Sequence, residues 1–277
     1  MVSSELRNSS PNARVALDEE QIQCYRQDGY LVIPGIVSPR EATILLDYFD
    51  QHTSGLVYPH GSKRQADAPE KRFGAIRALP FFQTVYQIAA QLFQSPTDKL
   101  SSHGLLAEIP AHYPLHSDWH QDEAYWPSSL IPNALNVWCA IDTVDADADA
   151  DVESSHTGTT ADIEVIPGSH HADVLEHICA ETSPRHYELA VAQVPTSHSI
   201  SISVPPGGIV LYHCRLLYRL AGNTSDGARR AYILTVDTPP RVVPAGRMRR
   251  WLQDLARLNA IFATTSASTA SDHELSR

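Results

Sequence analysis

Two side chains in this sequence are spaced to do metal chemistry together: His120 and Asp122, in the run His116-Ser117-Asp118-Trp119-His120-Gln121-Asp122-Glu123-Ala124-Tyr125-Trp126. On an extended chain, residues two apart project to the same side. An imidazole and a carboxylate so placed supply two ligands of the 2-His-1-carboxylate facial triad, which leaves positions on Fe(II) open for substrate and O2. Spacing alone does not single them out. The chain has 14 His, and His116 and Asp118 repeat the pattern four residues upstream. The bland alternative is a surface His and Asp that hold no metal, and a third ligand has to come from a distant stretch of chain.

The elements that must position this pair are legible as a helical opening followed by short strands. Residues 1–16 are polar and expected to be a disordered N-terminus. Asp18 caps an acidic first turn and Gly29 ends the helix it opens. Tyr30 to Pro34 then reads as a brief strand. Ser38-Pro39-Arg40-Glu41 combines a cap, a proline at the first helical position and an acidic third residue, and predicts a helix to about Gln51. Residues 52–72 read as polar and irregular. Apolar residues at helical spacing predict a core helix from Leu79 to Phe93, ended by Ser95-Pro96. From Gly104 onward, short apolar runs alternate with Pro, Asp and Gly turns, as in a sandwich or barrel. Leu135 to Asp142 is a strand in this series, and Asp173 to Ala180 reads as one short helix. The alternating Asp-Ala run from Asp145 lacks the Gly and terminal Glu of a calcium loop, so 145–162 is expected to be a mobile insertion. Gly246 to Leu258 reads as a basic amphipathic helix, suited to core packing or a subunit contact, and 261–277 as a disordered tail.

Composition narrows the partners. With 277 residues, 43% of them apolar and 19% charged, the chain can bury a full core without staples. A net charge of −11 disfavours nucleic acid and anionic membrane surfaces. Cys24, Cys139, Cys179 and Cys214 are far apart with no CxxC, which argues against a cysteine zinc site or a disulfide framework. No signal peptide opens the chain and no run is long enough to span a membrane, so a reducing, cytoplasmic location is expected.

Three blocks together resemble the phytanoyl-CoA dioxygenase family of Fe(II)/2-oxoglutarate oxygenases: Trp119-His120-Gln121-Asp122, Pro167-Gly168-Ser169-His170, and the stretch from Val204 to Ala231. The resemblance spans roughly residues 17–240. It implies a mainly β (α+β) fold, a double-stranded β-helix (a cupin-like jelly roll) with N-terminal helices packed on one sheet, as a single domain over 17–260. It implies that His120 and Asp122 are metal ligands and that Arg229 meets the distal carboxylate of 2-oxoglutarate, for which a planar, permanently charged guanidinium is suited. His170 would brace the fold. Counting back from Arg229, and anchored by Asn223 and Ser225, the third ligand position falls on Tyr218, where the family has His.

That departure decides how much function the resemblance carries. A phenol must lose a proton near pH ~10 to ligate and favours oxidised iron, whereas imidazole binds Fe(II) as a neutral donor. His213 holds the place of a family His that is not a ligand, and at five residues from Tyr218 it would face the other way on a regular strand. A basic residue that many relatives carry before the metal block is also absent; Leu105-Leu106-Ala107-Glu108 stands there. No residue is therefore assigned a catalytic role outright, and Fe(II) and 2-oxoglutarate are expected to be weakly held or absent. The preferred reading is a subunit of an oxygenase that hydroxylates a lipophilic secondary metabolite, its own site impaired, dimerised with an active homologous subunit as a pseudoenzyme support. The alternatives are a self-sufficient dioxygenase using His120, Asp122 and Arg229, and a ligand-binding jelly roll with no catalysis. If Arg229 is only scaffold, it should pair with a buried acid or lie exposed.

Overall fold

The computed structural model describes residues 16–53, 65–113, 116–126, 130–131, 133–141, 162–179, 189–195, 198–239 and 241–242. The polar start (1–15), most of the segment 145–162, and the residues for which a basic helix (246–258) and a tail (261–277) were expected lie outside them.

The opening follows its caps. Helix α1 (Glu19–Asp28) begins with a reciprocal capping box between Asp18 and Gln21 and ends at Gly29, whose φ of 81° is open to glycine at little cost. Strand β1 (Tyr30–Ile33) follows, then α2 (Pro39–His52), capped reciprocally by Ser38 and Glu41. Glu41 also accepts the Phe81 N–H at 2.7 Å, which fastens the start of α2 to the start of the later core helix. Where irregular chain was expected in 52–72, the described part holds a short strand β2 (Gln65–Asp67) and one turn of helix α3 (Pro69–Arg72). Both are set by long-range partners: β2 pairs with the Leu105–Ala107 segment, and the Glu70 carboxylate accepts Gly104 N–H and Tyr232 O–H. After the turn α4 (Gly74–Arg77), the core helix α5 spans Pro80–Phe93.

The remaining strands are β3 (Ser101–Ile109), β4 (Leu130–Ile131), β5 (Ala134–Ala140), β6 (Ile163–Val165), β7 (His177–Cys179), β8 (Leu189–Val191), β9 (Ile200–Ile202), β10 (Ile209–His213), β11 (Tyr218–Leu220), β12 (Arg229–Asp237) and β13 (Arg241–Val242). Six strands form an antiparallel sheet in the order β1-β10-β5-β12-β3-β2, and β11-β6-β9 form a smaller one. Residues of both sheets meet in one apolar cluster that includes Trp138, Ala140, Tyr212 and Ala231 from the large sheet and Ile163, Val165, Ile202 and Tyr218 from the small one. The opposite face of the large sheet, with Leu106, Val137, Leu211, Tyr232 and Leu234, packs on Leu45, Phe49, Phe81, Val85 and Ile88 of α2 and α5. This is the jelly roll with helices on one sheet that the resemblance implied. All seven residues of β5 are buried because both of its faces are covered.

The helix expected over Asp173 to Ala180 is absent. Residues 173–176 are irregular, and 177–179 form β7, paired with β8. The Leu175 N–H goes to the side chain of Gln121 (2.8 Å), and pairing with β8 takes up the backbone of 177–179 that a helix would need.

Candidate active site

Two main-chain bonds hold the metal motif against the small sheet: His120 N–H to Tyr218 carbonyl (3.0 Å) and Tyr218 N–H to His120 carbonyl (3.1 Å). This one bridge brings together residues 98 positions apart. The imidazole Nδ1 of His120 lies 2.8 Å from the Asp118 carbonyl, which can only accept, so Nδ1 carries the proton. Nε2 is left facing Asp122 Oδ1 at 3.5 Å. Tyr218 completes the cluster, its hydroxyl donating to the same Oδ1 at 2.9 Å and its ring 4.4 Å from the His120 ring.

Two residues around the Asp122–Tyr218 pair escaped the reading of the sequence. Asn136, on β5, donates to Oδ2 at 2.5 Å, and its own carbonyl oxygen accepts from Thr235 on β12, which fixes the orientation of the amide. Tyr212, on β10, lies with its ring 4.7 Å from that of Tyr218 and hydrogen-bonds its hydroxyl. Alternation along β5 and β10 puts Asn136 and Tyr212 on the face shared with Trp138 and Val210, inside the barrel; only the period-2 pattern could have hinted at them. Burial holds the Asp122 carboxyl above the usual range, against the opposing pull of His120, Tyr218 and Asn136. Burial, reinforced by the charge of Asp122, pushes the Tyr218 phenol well above its ordinary value.

The motif loop is braced from behind. Gln121 is 1% exposed; its amide donates to the Arg215 carbonyl (2.7 Å), and its backbone N–H meets His177 Nε2 (3.1 Å). Arg215 grips Glu123 through two bonds, of 3.0 and 2.6 Å. Such paired, part-buried contacts define geometry more than stability.

His213 stands apart. It ends β10, and the chain then turns into β11 of the other sheet, so His213 and Tyr218 are not on one strand and the alternation expected between them does not apply. Its ring lies 5.2 Å from that of His170, and its Nδ1 accepts the Arg215 N–H. His170 Nε2 in turn reaches the Arg26 carbonyl at the end of α1 (3.0 Å). Gly168, at φ 75°, makes the turn that presents it.

Arg229 begins β12 and by alternation shares the inner face with Ala231. Its Nε lies 3.3 Å from Asp162 Oδ1, and its Nη2 donates to the Ala221 carbonyl at 3.3 Å. Asp162 is a buried acid that had attracted no notice in the sequence. Glu108, in the stretch where a basic residue was missed, accepts from Arg230 at 2.9 Å. Asn223 is fully buried and ties Ile109, Pro110 and Gly227 to the turn that carries Ser225.

Residues 25–231 match the phytanoyl-CoA dioxygenase family. The chain belongs to that family. It is thereby of the Fe(II)/2-oxoglutarate oxygenase type. Similar proteins include the ectoine dioxygenase of Bordetella bronchiseptica, 22% identical over 241 residues, which cover 77% of this chain and 73% of that one. EvdO2 from Micromonospora carbonacea var. aurantiaca, solved also in complex with 2-oxoglutarate, superposes with a TM-score of 0.70 at 23% identity, over 83% of this chain and 94% of that one. SnoK, a non-heme alpha ketoglutarate dependent carbocyclase from nogalamycin biosynthesis, does so with a TM-score of 0.62 at 20% identity, over 87% and 94%.

The donor set meets the family's iron only in part. His120 Nε2 and Asp122 Oδ1 converge as two ligands would, with Tyr218 oxygen in the third place. Among the described residues, no three His, Cys, Asp or Glu side chains form a metal site. The buried, protonated phenol does not fit Fe(II), because the environment that shields it opposes loss of its proton. Among the described residues no helix is long and apolar enough to cross a membrane.

Proposed function

We propose that this phytanoyl-CoA dioxygenase family member is a subunit of a non-haem Fe(II)/2-oxoglutarate oxygenase acting on a lipophilic secondary metabolite, that its own metal centre is impaired, and that it supports an active homologous subunit in a heterodimer. The observation that carries this reading is the Tyr218 hydroxyl bound to Asp122. A proton sits where the family has an imidazole lone pair, and with Asn136 it satisfies the carboxylate internally. For the substrate class, support comes from the relative in nogalamycin biosynthesis and from exposed apolar surface by the motif. Tyr125 is 43% exposed, edge-on to the His120 ring at 6.3 Å, and bonds to β8, whose partner β7 carries exposed Ile178.

A second reading, a self-sufficient dioxygenase, is favoured by the poise of His120: its Nδ1–H is anchored and its Nε2 aimed at Asp122, as a ligand's would be. One pair of measurements separates the two. The purified chain should hold iron at well below one equivalent in equilibrium dialysis and should not consume 2-oxoglutarate alone. In a reconstituted complex with its homologous subunit, His120→Ala should leave activity nearly unchanged. Loss of activity with assembly intact would overturn the support reading in favour of the catalytic one.

A further inference from the structure

Arg229 has a fixed anion of its own. Asp162 sits at the bend just before β6, three residues ahead of Val165, which pairs with Tyr218. Its side chain is 10% exposed and that of Arg229 is 15% exposed, so their 3.3 Å contact is largely removed from water. Four further bonds hold it. Asp162 N–H donates to Ile202 carbonyl (2.8 Å), and its carbonyl accepts from Ala221 (3.2 Å). Its Oδ2 accepts the Val204 N–H at 2.7 Å, and Arg229 itself donates to the Ala221 carbonyl. The carboxylate is thus pinned between β9, β11 and the start of β12 and cannot swing away without breaking a buried hydrogen bond.

We infer that Asp162 is a specificity-determining residue: its carboxylate stands as counter-ion to Arg229 and excludes dicarboxylates from this pocket. The physical reason is charge. A ligand carboxylate approaching Arg229 meets a second carboxylate already within contact distance of the guanidinium. In a site largely shielded from solvent, their repulsion cancels most of the attraction that the arginine offers. Tyr218 then bears on the metal position and Asp162 on the anion position. The inference takes from the proposed function only that Arg229 faces the anion end.

The test uses glutarate, which has the distal carboxylate of 2-oxoglutarate but lacks the 2-oxo group that would chelate a metal. Its binding to Arg229 is therefore independent of iron and of Tyr218, and failure here leaves the metal reading standing. Glutarate is titrated calorimetrically into the full chain in chelator, for the natural protein, Asp162→Asn and Asp162→Asn/Arg229→Gln. Asparagine retains an oxygen for the Val204 N–H while removing the charge. The natural protein should show no binding at millimolar glutarate; Asp162→Asn should gain about tenfold or more in affinity; the double variant should lose the gain. Arg229-dependent binding by the natural protein overturns the inference outright, whatever the variants do. So does a folded Asp162→Asn protein with no gain. Should Asp162→Asn not fold, Asp162→Ser is read by the same criteria.

Discussion

Tyr218→Phe removes one oxygen and tests whether the phenol is an integral partner of Asp122. In the natural protein that oxygen donates to Oδ1 at 2.9 Å and lies against Tyr212. Without it, Oδ1 keeps only His120 at 3.5 Å, and Oδ2 keeps Asn136. A hydrogen bond to a charged, mostly buried group contributes roughly 1.5–3 kcal/mol, and phenylalanine offers no polar atom to replace it. The variant should therefore be destabilised by about 2 kcal/mol at neutral pH, read from urea unfolding of metal-free protein. The pH dependence adds a sharper signature. Burial raises the folded Asp122 pKa, so the charged carboxyl weakens the fold as pH rises through that value, and the phenol offsets this loss. Tyr218→Phe should raise the pKa further. Its deficit should be largest above the folded pKa and shrink towards acid, where Asp122 is protonated in both proteins. A deficit below about 0.5 kcal/mol at neutral pH, or one that does not change with pH, would refute the reasoning.

Other outcomes follow from the same geometry. Tyr218→His restores a neutral imidazole at the third position and should raise Fe(II) affinity about tenfold or more in equilibrium dialysis; consumption of 2-oxoglutarate should appear only when Asp162→Asn is added, and vanish with Arg229→Ala. Burial, helped by His170, Arg215 and His171, lowers the His213 pKa from 6.5 to about 4. A depressed histidine contributes stability present above its unfolded pKa and lost as pH falls through the folded one, so roughly 3 kcal/mol should disappear between those two values. His213→Gln should flatten that part of the urea stability curve. Gly29→Ala combines a φ of 81° with a Cβ placed 2.4 Å from His170 Nδ1 and 2.8 Å from Leu216 Cδ1. It should cost about 2–4 kcal/mol in thermal or urea unfolding, and a neutral result would mean that the His170 ring moves freely.

What the chain states locally it states well. Asp18 and Gln21, or Ser38 and Glu41, lie within one turn of each other, so their capping boxes need no partner from elsewhere, and Gly29 and Gly168 are required by the backbone itself. His120 and Asp122 are likewise two residues apart, and their convergence follows from a short extended segment. The rest depends on strand pairing across long loops. Nothing in the run around Asp162 announces an ion pair with Arg229; both charges become neighbours only because β6, β9 and β11 register as they do. Asn136 and Tyr212 read as interior strand positions, and only the fold brings Asn136 to Asp122 and Tyr212 to Tyr218. The segment after Asp173 looked helical, and only the pairing of β7 with β8 makes its end a strand. His213 follows the inward-facing Tyr212 on β10 and so projects from the other face, towards His170; that Tyr218 lies on a strand of a different sheet is a property of the topology and not of the spacing. Short-range hydrogen bonds and dihedral limits act within a few residues and are written in the sequence; charge pairing and burial act through space, and only the folded barrel decides which groups they join.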